Sequence, residues 1–206
     1  MPEYVRTALN SLNAEPPARW SYTVTTVRNN NARATARFDA TKPPGNQWTL
    51  VELNGRAPTP GEAEKYARSR AGDTTPDSAK GAFQKRDIDP ASVTLLKEDA
   101  DRGEFRCTFR PEAAGADKML GHLGLTLTIT KRLPHVERFV LELKEPYSPI
   151  LGVKMHELRV EMTFTPPGPT RPTLPVTQSS RFVGRIFLIG TEENLVVTYA
   201  DFAPPP

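Results

Sequence analysis

Residues 123–129 read Leu-Gly-Leu-Thr-Leu-Thr-Ile, and every odd position in this stretch is apolar. Residues 158–164, Leu-Arg-Val-Glu-Met-Thr-Phe, repeat the alternation with apolar side chains on the even positions. A period of two places one set of side chains on the packed face of a β-strand and the other set in water. Such stretches follow one another through the C-terminal half with no helix-period segment between them. This half of the chain therefore predicts one strongly curved antiparallel sheet.

Strands of the same kind are predicted along most of the chain. Their ranges are 20–25, 33–38, 48–53, 93–97, 104–109, 120–130, 136–144, 155–165, 178–189 and 195–202. The prolines cluster between these ranges, where they punctuate a sheet instead of weakening its strands. Since no linker divides the strands, we expect a mainly β (α+β) fold in a single domain over residues 1–206.

Two or three short helices are expected on the concave side of the sheet. Residues 3–12 carry one apolar stripe at helical spacing. Residues 59–62, Thr-Pro-Gly-Glu, form a capping box with proline at the first helical position, so a helix begins there and runs to about residue 71. Residues 111–119 predict a short helix or an irregular crossing segment. Residues 72–88 are polar and are expected to form a mobile loop, and residues 203–206 a proline-rich tail.

Composition argues against nucleic acid as a partner. The 27 Lys and Arg residues are scattered and nearly balanced by 24 Asp and Glu, which leaves a formal net charge of +3. The single cysteine, Cys107, has no disulfide partner and is expected to be an inert strand residue. No apolar run reaches the roughly 20 residues that span a bilayer. The start, Met-Pro-Glu-Tyr, has neither a basic nor an apolar leader region. A soluble chain is therefore expected, either as it stands or after removal of a signal peptide.

Candidate catalytic and metal-binding residues are few. The three histidines lie in different segments without metal-ligand spacing; they are His122, His135 and His156. We therefore expect no cofactor. Glu142, Glu157 and Glu161 offer carboxylates for glycosidase-like acid–base chemistry. Glu157 and Glu161, however, share the polar face of one strand with Arg159, which is typical of a solvated surface. A carboxylate-based hydrolase is the least favoured interpretation.

The order of elements resembles a known family. An amphipathic helix comes first, an aromatic first strand with Trp20 and Tyr22 follows, and a second helix comes after the third strand. The chain closes with two strands at residues 181–187 and 196–202. This pattern resembles the periplasmic lipoprotein carriers of the Lol type. The resemblance implies a half-open antiparallel barrel, lidded by helices, around an apolar cavity for acyl chains. No residue motif of the family matches position by position, so no functional residue is carried over.

We therefore expect a non-enzymatic envelope protein that binds a lipid or a lipoprotein acyl chain in the concave face of the sheet. Its expected location is periplasmic, with a cytoplasmic one left open, and contact with a membrane or an envelope protein is part of the hypothesis. The predicted ligand-binding residues are Trp20, Tyr22, Leu125, Leu127, Ile150, Leu151 and Met162. Ile150 and Leu151 lie in a connection that is either a buried crossover or the rim of the cavity. The alternative interpretation is a protein–protein interaction module with a filled core.

A wider set of side chains is predicted to face the concave, helix-covered side. A one-residue slip in register would expose all of them. They are Trp20, Tyr22, Leu125, Leu127, Phe139, Leu141, Val160, Met162, Phe182 and Ile186.

Overall fold

The computed structural model describes residues 1–17, 19–29, 31–71, 83–116 and 118–205. Within them, ten strands form one antiparallel sheet, which confirms the mainly β fold and the expected number of strands. The strands are β1 Ser21–Arg28, β2 Ala32–Phe38, β3 Trp48–Leu53, β4 Thr94–Glu98, β5 Arg102–Cys107, β6 Leu123–Thr130, β7 His135–Leu143, β8 Val153–Phe164, β9 Pro175–Ile186 and β10 Ile189–Ala203. The helices are α1 Glu3–Ser11, α2 Pro60–Ser69, α3 Pro111–Ala116 and α4 Lys118–Gly121, with 3₁₀ turns at Lys85–Asp87 and Pro90–Ser92.

The sheet consists of two meanders joined by strands from opposite ends of the chain. Its order is β3-β2-β1-β10-β9-β8-β7-β6-β5-β4. Every neighbouring pair except β1 with β10 is consecutive in sequence, as short connections favour. The edge strands β3 and β4 do not pair with each other, so the sheet is open.

One face of the sheet carries the core. Along β6 burial alternates without exception, and Leu125, Leu127 and Ile129 are fully buried. Helix α1 packs against β6 and β7 and inserts its fully buried Val5 and Ala8 into the same core. Helix α2 packs against β3, where the predicted capping box at Thr59 and Glu62 is present. Both helices therefore begin where the amphipathic stripe and the capping motif predict.

The predicted core is correct near the helices and wrong at its far end. Six of its members are buried: Tyr22, Leu125, Leu127, Phe139, Leu141 and Met162. Val160 is partly buried and packs against this cluster, whereas Trp20 and Phe182 are half-buried outside it. Ile186 is 44% exposed. It lies at the last residue of β9, while α1 covers β6 and β7 and α2 lies against β3, so the predicted burial of Ile186 is wrong.

Two connections differ from the sequence prediction. The predicted strand 178–189 is interrupted, because β9 ends at Ile186 and β10 begins at Ile189, with Phe187 and Leu188 as the turn between them. The predicted loop 72–88 lies outside the described residues as far as residue 82. Its last part is packed: Phe83 is buried, with its ring centroid 5.2 Å from that of Phe139.

Candidate functional site at the apolar end of the sheet

The predicted ligand-binding residues fall into two separate groups. Tyr22, Leu125, Leu127 and Met162 are at most 1% exposed within the packed core, and Trp20 is half-buried beside it. Ile150 and Leu151 lie in an exposed turn just before β8. Met162 is nine residues further along β8 than Val153, which corresponds to about 30 Å of extended strand. The two groups therefore do not form one site, and the segment at Ile150 is not a buried crossover.

Ile150 and Leu151 belong to a larger set of apolar side chains at one end of the sheet. The turn before β8 lies beside the Phe187–Leu188 turn, because Val153 at the start of β8 pairs with Ile186 at the end of β9. Exposure is 67% for Ile150, 98% for Leu151, 71% for Phe187, 91% for Leu188 and 72% for Ile189. We call this surface the apolar end; its residues are Ile150, Leu151, Val153, Ile186, Phe187, Leu188 and Ile189.

One backbone hydrogen bond joins the two turns, and another closes the turn before β8. The amide of Phe187 donates to the carbonyl of Gly152 at 2.5 Å, and the amide of Val153 donates to the carbonyl of Ile150 at 3.1 Å. Gly152 has φ +82° and Phe187 has φ +53°, so both adopt the left-handed conformation. The apolar side chains are therefore displayed on a defined backbone.

The connection before the first turn is anchored as well. The backbone of Tyr147 exchanges two hydrogen bonds with Met155, at 3.0 and 2.8 Å. The ring of Tyr147 stacks on that of His122, with centroids 3.9 Å apart. This anchoring leaves Ile150 and Leu151 at the tip of a connection whose base is fixed to β8.

The apolar run Ile186 to Ile189 was missed as a functional feature by sequence reasoning. The predicted strand 178–189 contains this run, although four consecutive apolar residues break the period of two. That break in the alternation is the signal by which the turn could have been found.

The candidate catalytic carboxylates are engaged with arginines on the polar face of the sheet. Arg159 forms ion pairs with Glu142 and with Glu161, the latter at 3.0 Å. Glu157 pairs with Arg181 at 3.1 Å. Each carboxylate thus faces a guanidinium, an arrangement typical of a solvated charge network.

A groove of about 520 Å³ lies near Thr163 and Phe164, at the other end of β8 from the apolar end. Several carboxylates line it, among them Glu98 and Glu137. Glu98 accepts a hydrogen bond from Tyr4 at 2.7 Å and lies 3.0 Å from the Lys131 ammonium, and Glu137 lies 2.7 Å from Arg102. Burial and the hydrogen bond to Glu98 raise the pKa of Tyr4 to about 12. Glu98 and Glu137 therefore each face a cation within the fold.

The histidines and the cysteine occupy separate environments. Nδ1 of His135 lies 2.6 Å from the Leu133 carbonyl and 2.8 Å from the Thr130 hydroxyl. Cys107 is fully buried, and this burial raises the pKa of its thiol to about 12. Among the residues that the structure describes, no three His, Cys, Asp or Glu side chains are grouped so that they could hold a metal ion.

Comparison of the chain with protein-family models finds no match, and comparisons with curated proteins and with solved structures find no significant match. In the described part of the chain, no helix is both long enough and apolar enough to cross a membrane.

Proposed function

We propose that this protein is a non-enzymatic lipid-binding protein that contacts lipid through its apolar end. The observation that carries the proposal is the exposure of five large apolar side chains on two adjacent turns and the first residue of β10, with Leu151 at 98% and Leu188 at 91%. Single exposed apolar residues are ordinary on protein surfaces, but a contiguous exposed patch marks an interaction site. The shape of this patch, two tight turns side by side, suits insertion into a soft apolar medium.

The energy available at the apolar end is sufficient for reversible binding. Removing one Leu, Ile or Phe side chain from water is worth about 1.5–3 kcal/mol. The five most exposed side chains together offer on the order of 10 kcal/mol before the costs of association. About 8 kcal/mol corresponds to a micromolar dissociation constant. No further binding motif is needed for an affinity in that range.

The apolar end supports this function better than the interior of the fold does. A ligand held against Leu125, Leu127 or Met162 would have to separate side chains that are packed against one another and are at most 1% exposed. The native density of such a core makes that separation costly. Of the predicted ligand-binding residues, Ile150 and Leu151 are the two that lipid can reach without rearrangement.

The proposal includes three expectations from the sequence: a half-barrel curvature of the sheet, a likeness to the lipoprotein carriers and a location in the cell envelope. The element order supports the likeness: one helix, three strands, a second helix and then the remaining strands. The exposed apolar end supports a location where lipid is present.

A protein–protein interaction module is the second candidate, and one observation favours it. The edge strand β4 is exposed along all five residues, including Leu95 and Leu96. An exposed edge is a template for an added strand. A register shift between Leu95 and Lys97 interrupts this edge, which leaves the apolar end as the stronger site.

Co-sedimentation with vesicles of phosphatidylcholine and phosphatidylglycerol tests the proposed function. The wild type should bind, and the double variant Leu151→Asn/Leu188→Asn should bind at least tenfold more weakly, because two apolar anchors are lost without a change in charge. Leu133→Asn is the matched control: Leu133 is an exposed turn leucine between β6 and β7, at the opposite end of the sheet. Absence of wild-type binding, or equal loss in the control, would remove lipid binding and leave the interaction module in front.

A further inference from the structure

Two cations lie directly behind the apolar end. Lys154 and Arg185 are opposite each other in the pairing of β8 with β9, one residue further from the turns than Val153 and Ile186. Like charges directly opposite on neighbouring strands repel and destabilise a sheet. Among the described residues, neither Lys154 nor Arg185 forms an ion pair that would offset this repulsion.

The same two strands contain a second pair of facing cations, and its charges are neutralised within the fold. Arg159 is opposite Arg181, and four carboxylates neutralise these two guanidinium groups. The ion pairs join Arg159 to Glu142 and Glu161, and Arg181 to Glu157 and Glu192. The fold therefore neutralises one cation pair internally and leaves the pair beside the apolar end open to an external anion.

The nearest acidic residues along the strands do not neutralise Lys154 and Arg185. Glu157 and Glu192 both lie opposite Val183, two residues further from the turns than Arg185, which is about 7 Å along the strand. Their carboxylates are directed to Arg181, at 3.1 and 2.9 Å. A surface that approaches the two turns therefore contacts the apolar side chains first and then the two positive charges.

From this order of chemistry we infer that the apolar end docks on an anionic lipid bilayer, with Lys154 and Arg185 at the level of the headgroup phosphates and the turn residues among the acyl chains. The inference rests on the proposed lipid-binding function and adds to it the class of lipid and the orientation of the sheet. Basic residues near an anionic membrane surface add attraction that falls off within a Debye length, so their place immediately behind the apolar residues is the effective one.

Charge and backbone geometry favour a bilayer over a protein partner. The amides of Phe187 and Val153 donate to carbonyls within the two turns, so these donors need no partner when water is excluded. A stable protein interface needs about 800 Å² on each side and includes polar groups at its rim. The two turns present exposed apolar side chains with two basic residues directly behind them, which matches a headgroup layer above acyl chains.

Vesicle binding separates this inference from the function on which it rests. The wild type should bind vesicles containing phosphatidylglycerol roughly thirtyfold more tightly than pure phosphatidylcholine, since each basic residue contributes about fivefold at an anionic surface. Lys154→Gln/Arg185→Gln should lose most of this preference and still bind phosphatidylcholine. Added salt should reduce the preference of the wild type but change little in the variant. Lys97→Gln/Arg106→Gln removes the same charge from exposed positions on β4 and β5 and should leave the preference intact.

Each outcome of this experiment decides something. Equal wild-type affinity for both vesicles, or a preference unchanged in Lys154→Gln/Arg185→Gln, overturns the inference while lipid binding stands. No binding to either vesicle overturns the proposed function and the inference with it. Sedimentation velocity without lipid tests whether a second copy of the chain binds the apolar end instead. A wild-type dimer that becomes monomeric in Leu151→Asn/Leu188→Asn would show that it does, and would overturn the inference. Circular dichroism melting of every variant establishes that it is folded.

Discussion

The ring of Phe187 occupies the space beside Gly152 that any other side chain would fill. An added Cβ at Gly152 would lie 2.8 Å from Cε1 of that ring, and the Phe187 amide donates to the Gly152 carbonyl at 2.5 Å. These two contacts connect the turn before β8 to the turn between β9 and β10. The presentation of the apolar end therefore depends on the absence of a side chain at one residue.

Gly152→Ala is predicted to loosen the apolar end. The new Cβ displaces the Phe187 ring, and the φ of +82° adds about 1–2 kcal/mol of backbone strain for alanine. Amide hydrogen exchange at Phe187 should accelerate, and vesicle binding should weaken. Gly55→Ala is the control, because Gly55 has φ +80° with no atom near the added Cβ. Gly55→Ala should carry the same backbone strain, but amide hydrogen exchange at Phe187 should stay unchanged. Equal exchange rates at Phe187 in the wild type and Gly152→Ala would contradict the prediction.

Gly184→Ala is predicted to destabilise the whole sheet by about 1–3 kcal/mol, the usual cost of overpacking. Its Cβ would lie 2.6 Å from the Phe182 ring and 2.7 Å from the carbonyl oxygen of Lys154 on the adjacent strand. Because that oxygen belongs to the backbone, it cannot move aside cheaply. Urea denaturation measures the change, and Gly190→Ala, which meets no atom within 4 Å, should change stability far less. Similar effects of the two substitutions would exclude a steric cause.

Two leucines of opposite environment give a direct test of the division between core and apolar end. Leu127→Ala should lower the free energy of unfolding by about 2–5 kcal/mol, because it leaves a cavity in the core. Leu151→Ala should change it by less than about 0.5 kcal/mol, as exposed substitutions do. Chemical denaturation measures both, and vesicle binding should show the reverse order of effects on the folded proteins. A large loss of stability in Leu151→Ala would indicate that the turn supports the fold.

The alternation of apolar and polar residues was sufficient to predict β6, because Leu125 and Leu127 face the same helix-covered core at every second position. It was insufficient where the ladder is irregular. A register shift between Met155 and Glu157 changes which parity of β8 faces the core, and the sequence contains no local sign of it. Burial also depends on what covers a strand, so Ile186 has the right parity for the core and remains exposed.

The hairpin between β9 and β10 shows how turn chemistry can mislead. Residues 190–194, Gly-Thr-Glu-Glu-Asn, have the composition of a turn and lie within β10 instead. The actual turn places Phe187 at φ +53°, which is uncommon for a large side chain. Local preference was overridden there by the long pairing of β9 with β10, from Ile186 opposite Ile189 to Thr177 opposite Thr198. That pairing places Phe187 and Leu188 in the turn. Of the apolar end, only Ile150 and Leu151 were predicted from the sequence as ligand-binding residues, because the break in alternation at residues 186–189 was not used.

The N-terminus of α2 is predicted to make stability depend on pH through Glu62. Hydrogen bonds from Arg56, and then from the backbone and hydroxyl of Thr59, lower the pKa of Glu62 from 4.5 to about 2. The guanidinium lies 2.7 and 2.9 Å from the two carboxylate oxygens, and the Thr59 amide lies 2.8 Å from one of them. Because the pKa is lower in the folded state, the ionised carboxylate stabilises the fold at neutral pH.

This contribution should be complete above about pH 5 and should disappear as the pH falls toward about 2. The Glu62→Gln variant should therefore be less stable than the wild type at pH 7, and the two should converge in acid. Urea denaturation across this range gives the difference, with Glu64→Gln as the control, since Glu64 is more exposed and lies 3.8 Å from Arg68. Thr59→Ala should cost about 1 kcal/mol at neutral pH through loss of the N-cap. A constant difference between wild type and Glu62→Gln from pH 7 to pH 2 would show that the carboxylate charge does not stabilise the cap.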